Sequence, residues 1–436
     1  MRNGRSTNEI NKKYKKVQIN EPFSFKWIVK IEVIIILILL LFVFFLNIIP
    51  FKTKFKLKYN LEKVYSILFL NEKLDSDNKR LENINLAINE NPYLSYNEKE
   101  FIKKVYEKEI NENLEYINLE NVNRKLKTLE ISYNNSNKKL NYNFKVYKSI
   151  AGEYNIYSNK IFIYDSKENF NKPFDDISLK DKEIYFHELN HVLTNYTLSS
   201  KVDLFAKNIE NKNNDLLNTK LLKNLKKEII LVGKNTFTET VNELFTREYI
   251  EIYSEKKLGL NKLKAYSEYM PFTYVLAEIL DEKTLREYKF NDNQNIIING
   301  LLEINNNFDK IFELITSINS IDYYVIYEND SKREDEIYKK IYESLSYFYE
   351  KKFNKNLQDD LVILSYLYNT NVLEEEYKSL LENYLQLDKD DKIIDVIPKG
   401  YVSNEYKTEN NYVKIEYIKD GEKQYFEIND TNRFLN

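Results

Sequence analysis

The two histidines of this 436-residue chain lie four residues apart, in the segment His187-Glu188-Leu189-Asn190-His191. This is the HExxH pattern, and on an α-helix its spacing places both imidazoles on one face. Imidazole is a common zinc ligand, and a glutamate beside the first ligand can take a proton from water at the metal. The segment therefore predicts a helix with His187 and His191 as metal ligands and Glu188 as general base. The alternative is an ordinary helix with two unrelated histidines.

Composition limits the fold and the chemistry. The chain has only 7 Gly and 6 Pro, so helix breakers are scarce, and its 43% of hydrophobic residues excludes a disordered chain. No cysteine is present, which excludes disulfides, thiol nucleophiles and cysteine-based zinc sites. The net charge of −3 provides no basic field for nucleic acid. We predict a mostly helical α+β protein.

The third metal ligand has to be an acidic residue. A catalytic zinc site takes three protein ligands, and no further His or Cys remains. Glu239 and Glu243 stand one helical turn apart in the segment from Thr236 to Tyr249, so both carboxylates project from one face. One can bind the metal while the other accepts the N–H of a ligand histidine, and the spacing leaves open which does which.

Other roles are open for the acidic residues around this segment. Thr236 and Glu239 also have the spacing of a capping box, in which Glu239 would bond back to the start of its own helix. Glu153 and Glu183 are weaker candidates for the third ligand. We expect Glu248 and Glu251 to be solvated.

At this point the chain resembles the gluzincin metallopeptidases, which carry HExxH on one helix and a glutamate ligand on a later one. In thermolysin-like members the pattern NExxSD places the ligand glutamate four residues before an acid that orients the first histidine. The segment from Thr238 to Glu243 has this spacing, with Glu in place of the Asp. It also fits a looser E-G-x-x-E pattern, with Thr240 in place of the glycine.

The resemblance covers about residues 131–290 and is specific only in the HELNH segment and the Glu239 helix. It implies a zincin-like core, a Zn²⁺ cofactor and hydrolysis of peptide bonds. It also implies Glu239 as third ligand and Glu243 as the partner of His187. Many relatives stabilise the oxyanion with His or Tyr, and no His remains here, so a Tyr or Arg has to serve. We select Tyr269 and Tyr274, which follow the ligand helix; packing is the alternative role for both.

Residues 33–51 read VIIILILLLFVFFLNIIPF, with only Asn47 polar. With the apolar residues that precede it, this stretch predicts a membrane-spanning helix over residues 27–51. A buried core helix and a cleaved signal peptide are the alternatives; no small-x-small cleavage site follows the apolar run. Eight Lys and Arg residues lie at positions 2–30 and five lysines at positions 52–63. This excess predicts a cytoplasmic tail at residues 1–26 and export of the remainder.

The hydrophobic pattern divides the rest of the chain into four predicted regions. Residues 52–128 predict a helical stalk or packing region, and residues 129–290 predict the metallopeptidase core, with a small antiparallel sheet before a motif helix capped by Ser178. Residues 291–387 predict a helical support region. Residues 388–436 predict a small β tail whose hairpin turns at Asp420-Gly421.

The sequence thus predicts a membrane-anchored, single-pass zinc metallopeptidase with peptide or protein substrates and an extracytoplasmic catalytic domain. One alternative is a non-catalytic binding or adhesion protein with a structural zinc. Another is an intramembrane protease, which also uses HExxH. The sequence disfavours the latter, because His187 lies some 135 residues beyond the apolar segment in a polar surrounding.

Overall fold

A computed structural model describes residues 81–134, 138–142, 145–155, 158–164, 172–194, 236–262, 266, 268–291, 294–323, 331–402 and 412–435. All of these belong to one compact unit, Tyr59–Asn436. The predicted tail, the membrane segment, the stalk up to residue 80 and the connection 195–235 lie outside the described residues. Within those ranges, no helix has the length and apolar character needed to cross a bilayer.

The described part of the chain is mostly helical, with small sheets at two places, which confirms the predicted α+β class. Its helices are α1 (Leu81–Glu90), α2 (Tyr96–Glu112), α3 (Leu119–Thr128), α4 (Leu179–Leu193), α5 (Thr236–Ser254), α6 (Met270–Ile279), α7 (Glu282–Asn291), α8 (Gln294–Ile304), α9 (Phe308–Tyr323), α10 (Ser331–Phe353), α11 (Leu361–Leu367) and α12 (Glu375–Tyr384). One hydrophobic cluster extends from Ile84 in α1 to residues near the C-terminus, so the predicted regions pack on one another.

Five short strands precede α4: β1 (Glu130–Asn134), β2 (Lys138–Tyr142), β3 (Lys145–Ile150), β4 (Gly152–Asn155) and β5 (Lys160–Tyr164). The sheet order is β1-β5-β4, and β2 and β3 form a separate antiparallel pair. β4 is antiparallel to β5, as expected, but β1 runs parallel to β5. Alternation of side chains identifies a strand without giving its direction, and the intervening strands make the long crossover that a parallel pair requires.

The C-terminal strands β6 (Lys392–Ile397), β7 (Val413–Lys419) and β8 (Glu422–Ile428) form an antiparallel sheet in that order. The predicted hairpin between β7 and β8 is confirmed. Its two turn residues, Asp420 and Gly421, both have positive φ values, 54° and 77°. This left-handed pair matches the twist of the flanking strands, which is why Asp-Gly favours such a turn.

The motif helix α4 begins where the sequence predicts. Ser178 is its N-cap, and its side-chain oxygen accepts a hydrogen bond from the backbone N–H of Asp181 at 3.2 Å. Almost the whole helix is buried between β4 and β5 on one side and α5 on another. Burial of this extent restrains the side chains from Asp181 to Leu193.

Two lysines from other elements hold the C-terminal end of α4. Lys125 of α3 donates from Nζ to the carbonyl oxygens of Val192 and Thr194, at 2.9 and 2.8 Å. Lys289 of α7 donates to the carbonyl of Asn190 at 2.8 Å and to the Thr194 hydroxyl at 3.2 Å. These amino groups satisfy the unpaired carbonyls of the helix end.

The carboxylates of Glu248 and Glu251 are buried, so the expectation of solvated side chains is wrong. Glu248 is 2% exposed and accepts the backbone N–H groups of Tyr401 and Val402, at 2.6 and 2.9 Å. Glu251 is 6% exposed and accepts the N–H of Leu258 at 2.6 Å. Both carboxylates accept backbone N–H groups from segments that pack against α5. No local sequence pattern reveals such contacts.

Burial, together with the nearby charge of Lys289, lowers the pKa of Lys125 from 10.5 to about 7. Between these values the unfolded chain holds a proton that the folded protein has released, so stability rises with pH in this window. We predict that wild type gains stability relative to Lys125→Met between pH 7 and 10, by at most about 1.4 kcal/mol per pH unit. Denaturant unfolding across this range measures the difference. Lys127→Met, at an exposed position of α3, is the control and should leave the pH slope unchanged; equal slopes in all three proteins would contradict the prediction.

Candidate metal centre

Three side-chain atoms from α4 and α5 form a compact triangle. The Nε2 atoms of His187 and His191 are 3.2 Å apart, and Oε2 of Glu239 lies 3.1 and 3.2 Å from them. A tetrahedral ion with metal–ligand distances of about 2.05 Å separates its ligands by about 3.3 Å. The observed triangle has nearly this size, so the group could hold a metal ion.

The two helices are brought into register by polar contacts along their shared face. Asn242 Nδ2 donates to the carbonyl oxygen of His187 at 2.9 Å, and Asn190 Nδ2 donates to the hydroxyl of Thr246 at 3.1 Å. All four residues are buried. These contacts place the first turn of α5, which carries Glu239, opposite the histidines.

Glu243 lies on the other side of His187 from the ligand triangle. Its Oε2 is 2.9 Å from His187 Nδ1, and its Oε1 accepts a hydrogen bond from Arg247 Nε at 3.0 Å. A proton on Nδ1 that is donated to Glu243 leaves the Nε2 lone pair for a metal. The two glutamates that the spacing could not tell apart therefore occupy different positions: Glu239 with the ligand atoms and Glu243 behind the first histidine.

The electrostatics of the cluster favour positive charge between the carboxylates. Burial lowers the pKa of His187, but hydrogen bonds with Glu239 and Glu243 outweigh it and raise the pKa to about 10. Burial similarly opposes ionisation of Glu239, yet His191 and His187 hold its pKa well below the usual value. A site that stabilises a proton in this way also suits a metal cation, which binds in competition with that proton.

The carboxylate of Glu188 lies against the first residue of β4. A Cβ atom added to Gly152 would be 2.6 Å from Glu188 Oε1 and 2.9 Å from Ile184 Cγ2, so only glycine fits there. Glu188 is 6% exposed, and its charge contributes to the raised pKa of His187. The predicted general base therefore lies beside the three candidate ligands and packs against the backbone of β4.

Tyr266 is in contact with two of the candidate ligands. Its hydroxyl donates to Glu239 Oε2 at 3.1 Å, and its ring is stacked on His187 with a centroid separation of 5.3 Å. Tyr269 is buried beside Tyr266, with the ring centroids 6.3 Å apart. Tyr274 instead packs against two other tyrosines, Tyr366 and Tyr401.

The sequence pattern pointed to Tyr269 and Tyr274 in this stretch and did not single out Tyr266. Tyr266 lies in the turn before α6 with a positive φ of 51°. Helical periodicity cannot give the direction of a side chain on such a turn. Two residues are weaker candidates for the third ligand. Of these, Glu183 is buried on α4 and Glu153 is half-buried on β4. Among the described residues, the group that could hold a metal ion consists of His187, His191 and Glu239.

Comparison of the chain with protein-family models, with curated proteins and with solved structures found no significant match.

The two glutamates should respond differently to substitution. We predict that Glu239→Ala abolishes tight metal binding because it removes a ligand, whereas Glu243→Gln weakens it by about 10- to 100-fold because His187 loses its charged acceptor. Competition with a chromophoric chelator measures both affinities on metal-stripped protein. Glu376→Gln, an exposed carboxylate on α12, is the control. A larger loss in Glu243→Gln than in Glu239→Ala would exchange the two roles.

Proposed function

We propose that this protein is a zinc-dependent peptidase of gluzincin type with a zincin-like core. The observation that carries the proposal is the His187–His191–Glu239 triangle with Glu188 next to it on the same helix. Two imidazole nitrogens and one carboxylate oxygen are a ligand set that suits zinc, and three protein ligands are typical of catalytic rather than structural sites.

The residues present can carry out peptide hydrolysis. Zinc held by the triangle would polarise a carbonyl group and make water acidic enough to ionise near neutral pH. Glu188 accepts the proton of the attacking water and delivers it to the leaving amine nitrogen. Gly152 keeps the space for that carboxylate, and Glu243 keeps the ring of His187 in orientation.

The sheet next to the motif helix supports a peptide as substrate. β4 is at the edge of the β1-β5-β4 sheet, and it packs against α4. An extended peptide can add to such an edge through backbone hydrogen bonds, with side chains alternating between the two faces. A peptide that does so would lie next to the helix carrying Glu188.

Glu188→Gln tests the proposal, because it removes the base while keeping the size of the side chain. We predict that the variant retains zinc but hydrolyses peptides at least about 10²-fold more slowly than wild type. The full chain is assayed with a library of proteome-derived peptides, and zinc content is measured in parallel. Glu376→Gln serves again as the exposed control.

Gly152→Ala provides a second variant that leaves every ionisable group in place. Its methyl group displaces the Glu188 carboxylate, so activity should fall with zinc content unchanged, whereas Gly300→Ala in α8 should remain active. Zinc retention with equal hydrolysis by wild type and Glu188→Gln would exclude the catalytic role. That result would favour a binding or adhesion protein with a structural zinc.

We further propose that residues 27–51 anchor this domain to the cell membrane, with residues 1–26 in the cytoplasm and the peptidase outside. The support is the apolar run and the excess of positive charge before it.

Protease added to intact cells should therefore degrade residues C-terminal to the anchor. The same treatment after lysis should remove the N-terminal tail as well. Protection of the C-terminal domain in intact cells would contradict this topology. An epitope tag at each end reports the two sides separately.

A further inference from the structure

The three candidate ligands are not equally enclosed. The side chains of His187 and His191 are 7% and 8% exposed, whereas that of Glu239 is 21% exposed. His187 is also fixed from behind by Glu243. Packing therefore restrains Glu239 less than it restrains the histidines, although a metal ligand has to be held in position before the ion arrives.

Tyr266 supplies a contact at this least enclosed ligand. Its hydroxyl donates to Oε2 of Glu239 at 3.1 Å, and this is the oxygen atom that faces both imidazoles. Its ring lies nearly parallel to that of His187, with an interplanar angle of 18°. One side chain thus touches a ligand on α5 and a ligand on α4 at the same time.

The backbone of Tyr266 gives an independent indication. Its φ of 51° is in the left-handed region, which a bulky aromatic residue seldom adopts. Its carbonyl oxygen accepts the N–H groups of Tyr269 and Met270, at 2.9 and 3.1 Å, so the turn is tied to the start of α6. Residues are kept in such conformations chiefly where the side chain they present is needed.

We propose that Tyr266 is a positioning residue of the metal centre. Its hydroxyl fixes the metal-facing oxygen of Glu239, and its ring fixes the plane of His187. Both contacts reduce the freedom that the ligands would lose on binding an ion, so the affinity for the ion rises. The inference rests on the metal site of the proposed function and not on peptide hydrolysis.

Tyr266→Phe is the decisive variant, because it removes the hydroxyl and keeps the stacked ring. We expect metal-stripped Tyr266→Phe to bind Zn²⁺ and Co²⁺ about 10- to 100-fold more weakly than wild type in competition with a chelator. We also expect a shifted visible spectrum of bound Co²⁺, since a Glu239 oxygen that is no longer held changes the ligand field. Tyr266→Leu, which also loses the stacking, should bind more weakly still.

Tyr368→Phe is the matched control, because the Tyr368 hydroxyl donates to the carboxylate of Glu382 in another part of the fold. It loses the same kind of hydrogen bond and should keep wild-type affinity and cobalt spectrum. The thermal unfolding midpoints of the metal-free variants show that the fold is retained. Wild-type affinity and spectrum in Tyr266→Phe, or an equal loss in Tyr368→Phe, would overturn the role of Tyr266.

The failure of this inference is distinguishable from that of the proposed function. No zinc or cobalt binding by wild type would remove the metal site and, with it, both proposals. Metal binding without peptide hydrolysis would remove only the peptidase, and the titration would still decide the role of Tyr266.

Discussion

The arrangement of the site depends on one buried hydrogen bond, between His187 Nδ1 and Glu243. Glu243 is 0% exposed and is also held by Arg247, which is 3% exposed, so ionised groups meet out of water. Each group is tolerable there only because the others compensate its charge, and removal of one leaves an uncompensated buried charge. The same buried contact therefore joins α4 to α5 and orients a candidate metal ligand.

The C-terminal sheet connects to this pair of helices through the loop after α5. The N–H of Leu260 donates to Val396 of β6 at 2.8 Å, and Arg247 Nη1 reaches the Leu260 carbonyl at 3.5 Å. Gly259 has no room for a side chain, because a Cβ atom would be 2.2 Å from the Asp395 carboxylate. The β tail, more than a hundred residues away in sequence, therefore supports the candidate metal centre through Arg247 and Glu243.

The sequence predicted those features that depend on local chemistry. The Ser178 cap and the Asp420-Gly421 turn both follow from the preferences of a few neighbouring residues. It did not predict the parallel pairing of β1 with β5, nor the burial of Glu248 and Glu251. These features depend on which distant segment packs against a residue. The type of a hydrophilic side chain does not indicate which partner it has in the folded protein.

The candidate metal centre shows the same division between local and tertiary features. The scarcity of histidine and the four-residue spacing by themselves determined His187 and His191 as candidate ligands, because a helix turn places residues i and i+4 on one face. The sequence also reduced the third ligand to an acidic residue, with Glu239 and Glu243 on one helix face. Only the tertiary structure separated those two glutamates, placed Gly152 against Glu188 and brought Tyr266 over His187. The physical reason is that these contacts join residues 27 to 79 positions apart, whose distance is decided by the packing of α4, α5 and β4 and not by any local conformational preference.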